Sequence, residues 1–125
     1  MSGRTADTEM FFGFESFLYP TTHFRYDFET GTSTALRSAE VDFDAAAYET
    51  KQVFYPSKDG TRIPMFLVHR RGMPLDGNRP VLLYGYGGFN ISLMPFFAVS
   101  RLAWLEHGGV YAVAREQVGD DRFFV

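Results

Sequence analysis

Cysteine is absent from the 125 residues, so neither a disulfide framework nor a thiolate metal site can form, and a reducing compartment, the cytosol, is the expectation. Long apolar runs are also missing. The N-terminal residues carry no apolar signal core, and no run approaches the roughly 18 residues a membrane span requires, so no membrane association is expected. Twelve Lys and Arg against 15 Asp and Glu leave a net charge of −3, which supplies no basic field for nucleic acid. No basic cluster is interleaved with aromatic residues in the manner of a single-strand binder. A phosphate-cradling Gly-x-x-x-x-Gly-Lys loop is absent, and no cofactor is expected. The serines are Ser2, Ser16, Ser33, Ser38, Ser57, Ser92 and Ser100, and none occupies a Gly-x-Ser-x-Gly nucleophile elbow.

What the chain does have is apolar mass. Hydrophobic residues make up 46% and aromatics 18%, with 14 Phe, which is too much for a disordered segment and enough to build a core at this length. Residues 10–18 and 23–28 read as a hairpin, the second strand with period-2 alternation, linked through Tyr19-Pro20-Thr21-Thr22 and closed by turn residues 29–33. Residues 34–48 are polar and alanine-rich and read as a connector with a helical turn around 44–48. A second hairpin is expected from strands 52–55 and 62–69, because Asp59-Gly60 between them supplies the positive φ of a tight turn. Pro64 cannot donate to a ladder, so its nitrogen should face an edge or a bulge.

Beyond a polar loop, residues 80–84 form a short apolar strand expected to be buried, and it runs straight into Gly85-Tyr86-Gly87-Gly88-Phe89-Asn90. Phe96, Phe97, Val99, Leu102, Ala103 and Leu105 then fall near helical spacing, with His107 and Gly108 as the natural stop. A last strand covers 109–114. Strand, helix, strand in this order gives one crossover and hence a parallel pair. A glycine loop between a strand and a helix is the layout of an oxyanion-hole loop in an α/β-hydrolase, where the main chain must approach the substrate closely. Without a nucleophile elbow, the sequence has half of such a site.

Two stretches carry a family resemblance. Tyr55-Pro56-Ser57-Lys58-Asp59-Gly60-Thr61-Arg62-Ile63-Pro64-Met65-Phe66 and Leu83-Tyr84-Gly85-Tyr86-Gly87-Gly88-Phe89-Asn90-Ile91-Ser92 closely resemble the prolyl oligopeptidase family of serine peptidases, over residues 5–114 in all. The resemblance implies an α/β fold class, here a fragment joining the last blade of a β-propeller (1–34) through a connector (35–50) to the first strands of an α/β-hydrolase domain (51–114). It further implies cleavage of short peptides after proline by a Ser-Asp-His triad. Tyr86 then corresponds to the tyrosine whose hydroxyl donates to the oxyanion, and Phe89 to a wall of the proline pocket. The family pattern continues past the last strand with an Asn-x-Arg-Gly-Gly-Gly segment, whereas Arg115 to Val125 is unrelated and reads as a divergent tail. The triad falls outside the chain, so the fragment alone should be inactive.

Each of these features has a plainer reading beside it. A tyrosine near glycines is ordinarily a half-buried turn aromatic, and a phenylalanine after such a loop is ordinarily core; the resemblance is what raises Tyr86 and Phe89 above that. His23, His69 and His107 have no Cys, His or carboxylate cluster at ligand spacing and read as structural. Asp42 and Asp44 read as a solvated connector. The alternative to a peptidase segment is a catalytically inactive interaction module that pairs through exposed β-strands, the aromatic hairpin of residues 10–28 foremost.

Overall fold

Alternating apolar and polar residues in the first quarter of the chain form ladders. The structure, a computed structural model, describes residues 6–85 and 94–114, which fall into two units. The first takes in residues 6–43 and Pro95–Phe97. Strands β1 (Glu9–Phe14), β2 (Thr22–Asp27) and β3 (Thr32–Ser38) make an antiparallel meander in the order β1-β2-β3. Phe12 pairs with Phe24 and their rings stack at 5.2 Å, a cross-strand contact of the kind that stabilises sheets.

The β1–β2 link is held by the Ser16 hydroxyl, which accepts from the backbone N–H of Tyr19 at 3.2 Å. Glu15 accepts from the Thr21 hydroxyl at 2.9 Å and from the backbone N–H of Phe97 at 3.1 Å. These bonds turn the chain after Phe14, so β1 is shorter than the expected strand over 10–18. At the β2–β3 turn Asp27 accepts from the backbone N–H groups of Glu29 and Thr30, both at 2.9 Å, and Gly31 takes φ +66°. The Thr30 N–H is the main reason the Asp27 carboxyl sits below its ordinary pKa.

β3 was not legible as a strand. Every residue in it is exposed, so no face demanded apolar alternation, and the backbone ladder to β2 alone defines it. The connector expected from Thr34 therefore opens with ladder residues up to Ser38; the helical turn expected around 44–48 is present as a 3-10 turn, Ala45–Ala47.

The second unit holds residues 44–85, Met94 and 98–114 of the described chain. Asp44 caps the 3-10 turn by accepting from the Ala46 N–H at 3.1 Å. Strands β4 (Tyr48–Pro56), β5 (Arg62–Arg70), β6 (Val81–Gly85) and β7 (Val110–Ala114) form one mixed sheet in the order β4-β5-β7-β6. The expected hairpin is β4–β5, longer at its open end than the sequence suggested, and its turn carries Gly60 at φ +86°. Asp59 accepts there from the Thr61 N–H at 2.9 Å and from the Ser57 hydroxyl. Among the described residues the β5–β7 ladder runs from Met65–Ala114 to Val68–Tyr111, and Pro64 pairs with Phe54 of β4.

Helix α1 (Val99–Glu106) starts three residues later than the sequence pattern suggested, because Pro95–Phe97 belongs to the first unit. It ends as expected. His107 Nδ1 lies 2.7 Å from the Ala103 carbonyl oxygen and Gly108 takes φ +81°. Leu102 and Leu105 of α1, with Tyr48, Val68, Val110, Tyr111, Ala112 and Val113, are the buried apolar residues of the unit among those described. α1 packs over β7 and β5. Among the described residues β6 pairs with β7 alone, and the strand expected to be buried is exposed along its whole length, Leu83 at 64%.

Candidate active-site edge

The parallel pair anticipated from strand-helix-strand order is β6 and β7, with Val81 beside Val110 and Gly85 beside Ala114. Both carboxyl ends therefore lie side by side at one edge of the sheet, the edge where α/β proteins bind ligands. A Cβ on Gly85 would meet the Ala114 Cβ at 3.7 Å, an ordinary contact, so glycine there is not forced by β7. Tyr86 and Phe89 come next in the chain and lie outside the described residues.

Pairing places Tyr111, Val113, Leu82 and Tyr84 on one face of the sheet, since partners in a ladder share a side and residues two apart repeat it. The Arg101 guanidinium of α1 stands over the Tyr111 ring, 4.7 Å from its centroid, in cation–π geometry. Arg101 is 7% exposed and Tyr111 4%. Burial pushes the Tyr111 phenol above its ordinary pKa, Arg101 opposes that shift, and Tyr84 adds to it. Nothing in the sequence pattern singled out Arg101, because a lone arginine at the start of a helix gives no signal until the helix is placed on the sheet.

The remaining polar groups are scattered. His23 sits in β2 opposite Gly13, and His107 ends α1. His69 is fully buried, its Nδ1 2.9 Å from the Arg70 carbonyl oxygen, and its Nε2 has no hydrogen-bond partner among the described residues. Strand pairing sets Glu49 beside it at 3.8 Å, with Lys51 Nζ 3.1 Å and Arg71 3.9 Å from the same carboxylate. The bond from Lys51 is the largest cause of the lowered Glu49 pKa. That neighbourhood arises from register, which the sequence did not specify. Asp42 and Asp44 are exposed, and no group of three His, Asp or Glu is placed to hold a metal among the described residues. No helix among them is long and apolar enough to cross a membrane.

No protein-family model matches the chain. It is 40% identical over 119 residues to the prolyl endopeptidase of Elizabethkingia meningoseptica, covering 95% of this chain and 17% of that protein. Among solved structures, prolyl oligopeptidase B from Galerina marginata bound to a 35mer hydrolysis and macrocyclization substrate superposes with a TM-score of 0.82 at 40% identity. That match covers 93% of this chain and 17% of the other. Oligopeptidase B from Leishmania major matches with a TM-score of 0.79 at 28% identity, over 91% of this chain and 16% of its own. In sequence and in fold the chain is thus similar to a segment of prolyl oligopeptidases, spanning about 17% of the length of the curated prolyl endopeptidase it matches.

Proposed function

We propose that this segment forms the oxyanion side of a serine-type endopeptidase that cleaves short peptides after proline. In this reading Tyr86 donates its hydroxyl to the developing oxyanion and Phe89 walls the proline pocket. Residues 1–34 are closing propeller strands, 35–50 a connector, 51–114 the start of the hydrolase domain and 115–125 a divergent tail. The observation that supports the reading is the parallel β6–β7 pair, whose carboxyl ends at Gly85 and Ala114 lie side by side, with Tyr86 the next residue in the sequence after Gly85. A hydroxyl placed there acts on charge that appears only in the transition state, so its effect falls on kcat rather than on substrate binding. The nucleophile, acid and base come from sequence outside these residues, and an oxyanion donor alone forms no acyl-enzyme. The cysteine-free composition suits the cytoplasm as the working compartment.

The test uses a full-length enzyme, the E. meningoseptica prolyl endopeptidase with residues 6–114 of this chain replacing the matching segment. Tyr86→Phe keeps the ring and removes the hydroxyl, and should lower kcat on a Gly-Pro amide by roughly a hundred- to a thousandfold, about 2.7–4 kcal/mol, with KM and melting temperature little changed. A normal kcat refutes the assignment. The second reading, an inactive module that pairs through its strands, is favoured by one observation, the exposed edge strand β6 with Val81 at 56% and Leu83 at 64%.

A further inference from the structure

We propose that Asp76-Gly77 is a site of spontaneous isomerisation, where Asp76 turns slowly into isoaspartate, while the fold protects the other Asp-Gly pair of the chain, Asp59-Gly60. The inference stands apart from the oxyanion reading of Tyr86. Aspartate before glycine is open to ring closure, because glycine has no side chain to hinder attack of its own nitrogen on the preceding carboxyl carbon. The sequence offers two such pairs, and folding sets them apart.

In both pairs the carboxylate is folded over the peptide that follows it: Asp76 accepts from the Asn78 N–H at 3.0 Å, and Asp59 from the Thr61 N–H at 2.9 Å. Both glycines are exposed, take positive φ, +83° at Gly77 and +86° at Gly60, and have nothing within 4 Å of a would-be Cβ. Access therefore does not separate them. The attacking nitrogen does. The Gly60 N–H donates to the Ser57 carbonyl oxygen at 3.0 Å, in a turn that the Ser57 N–H closes on the Thr61 carbonyl oxygen at 2.8 Å and that the Pro56–Arg62 pair of the β4–β5 ladder flanks. The Ser57 hydroxyl also holds the Asp59 carboxylate. Ring closure there must break the turn. The Gly77 N–H has no hydrogen-bond partner among the described residues, and residues 71–80 between β5 and β6 belong to no strand.

The reaction needs nothing but water. The Gly77 nitrogen gives up its proton to solvent and its electron pair bonds to Asp76 Cγ; the Cγ–OH bond breaks, its oxygen leaves as water, and a cyclic imide remains. Water then adds to one imide carbonyl. Opening at Cγ restores aspartate, whereas opening at the Asp76 main-chain carbonyl carbon leaves the chain running through Cγ, one carbon longer, with a free α-carboxylate. The class of partner that recognises this product is an enzyme that methylates isoaspartyl α-carboxylates.

The grafted full-length enzyme reports both pairs at once when it is aged at neutral pH below its melting temperature and digested with trypsin, since Asp59 and Asp76 fall in different peptides. Electron-transfer fragmentation of those peptides distinguishes isoaspartate from aspartate. Isoaspartate should accumulate about tenfold faster at residue 76 than at residue 59, the factor that one ordinary hydrogen bond imposes. In urea, where the turn is gone, the two rates should converge. Asp76→Glu, which would have to close a larger ring, should remove most of the methyl groups that a protein isoaspartate methyltransferase transfers from S-adenosylmethionine to the aged enzyme. Equal rates at the two residues in the folded enzyme, a bias that persists undiminished in urea, or unchanged methyl transfer in Asp76→Glu would each overturn the proposal.

Discussion

Gly108 and Gly109 are adjacent and replaceable by alanine on paper at the same cost, yet the structure separates them sharply. Gly108 takes φ +81° with nothing within 4 Å of a would-be Cβ, so Gly108→Ala costs only the left-handed backbone penalty, about 1–2 kcal/mol. Gly109 has no such φ. Instead, a Cβ there would fall inside 3.0 Å of three indole atoms of Trp104, Nε1, Cε2 and, at 2.7 Å, Cδ1. The indole would have to swing away and give up its N–H bond to the Val110 carbonyl oxygen at 3.0 Å. Losing that bond costs about 1 kcal/mol. Uncovering roughly 100 Å² of a ring that buries 150–250 Å² when enclosed costs about 2.5 kcal/mol more. Gly109→Ala should therefore destabilise the unit by about 3–4 kcal/mol, shifting a urea midpoint down by about 2 M at a typical slope. Trp104 is the sole tryptophan, so its fluorescence reads the same event directly, with emission moving to the red in Gly109→Ala and staying put in Gly108→Ala. Equal midpoints for the two variants with unchanged emission would refute the steric account.

Two further outcomes follow from the strands. Asp59 is held at a pKa of about 2, below its ordinary 3.8, first by the Ser57 hydroxyl and then by the Thr61 N–H. A lowered carboxyl stabilises fully above the unfolded value and loses that contribution as pH falls through the folded one. Amide exchange at Thr61 should thus accelerate, beyond its intrinsic pH dependence, between about pH 4 and pH 2, and Asp59→Asn should abolish that excess; an unchanged excess in the variant would disprove the link. The isolated chain should associate through β6, and Leu83→Lys should weaken that association by about tenfold, the loss of one buried leucine, in sedimentation velocity. Identical profiles for the two chains would place the contact elsewhere.

The elements that announced themselves did so where local chemistry and tertiary need agreed. Asp59-Gly60 fixed the β4–β5 turn, and His107-Gly108 stopped α1, because both positions depend on backbone conformations available within a few residues. β3 stayed hidden because an exposed strand of Thr, Ser, Ala and Arg has no face to pattern. For β6 the error ran the other way. Val81-Leu82-Leu83 reads as interior sequence, and the described residues place nothing over it, so apolar composition reported what the strand suits rather than what surrounds it. Tyr86 and Phe89 are singled out by a motif alone and lie outside the described residues, while the Arg101–Tyr111 contact and the Glu49–His69 neighbourhood depend on how strands and helix come together, information that no single segment contains.

Strand order also dictates when the sheet can be completed. β7 is the last of the described strands and sits between β5 and β6, so the ladder that holds β6 does not exist until residues 110–114 have been made. The β4–β5 hairpin closes over a short turn and can form as soon as it leaves the ribosome, whereas β6 must wait, with its apolar side chains and both edges open, for a partner more than twenty residues downstream. Insertion of β7 is thus the step that converts a hairpin and a loose strand into a sheet. Any delay between synthesis of Gly85 and of Val110 lengthens the interval in which another chain can take β7's place.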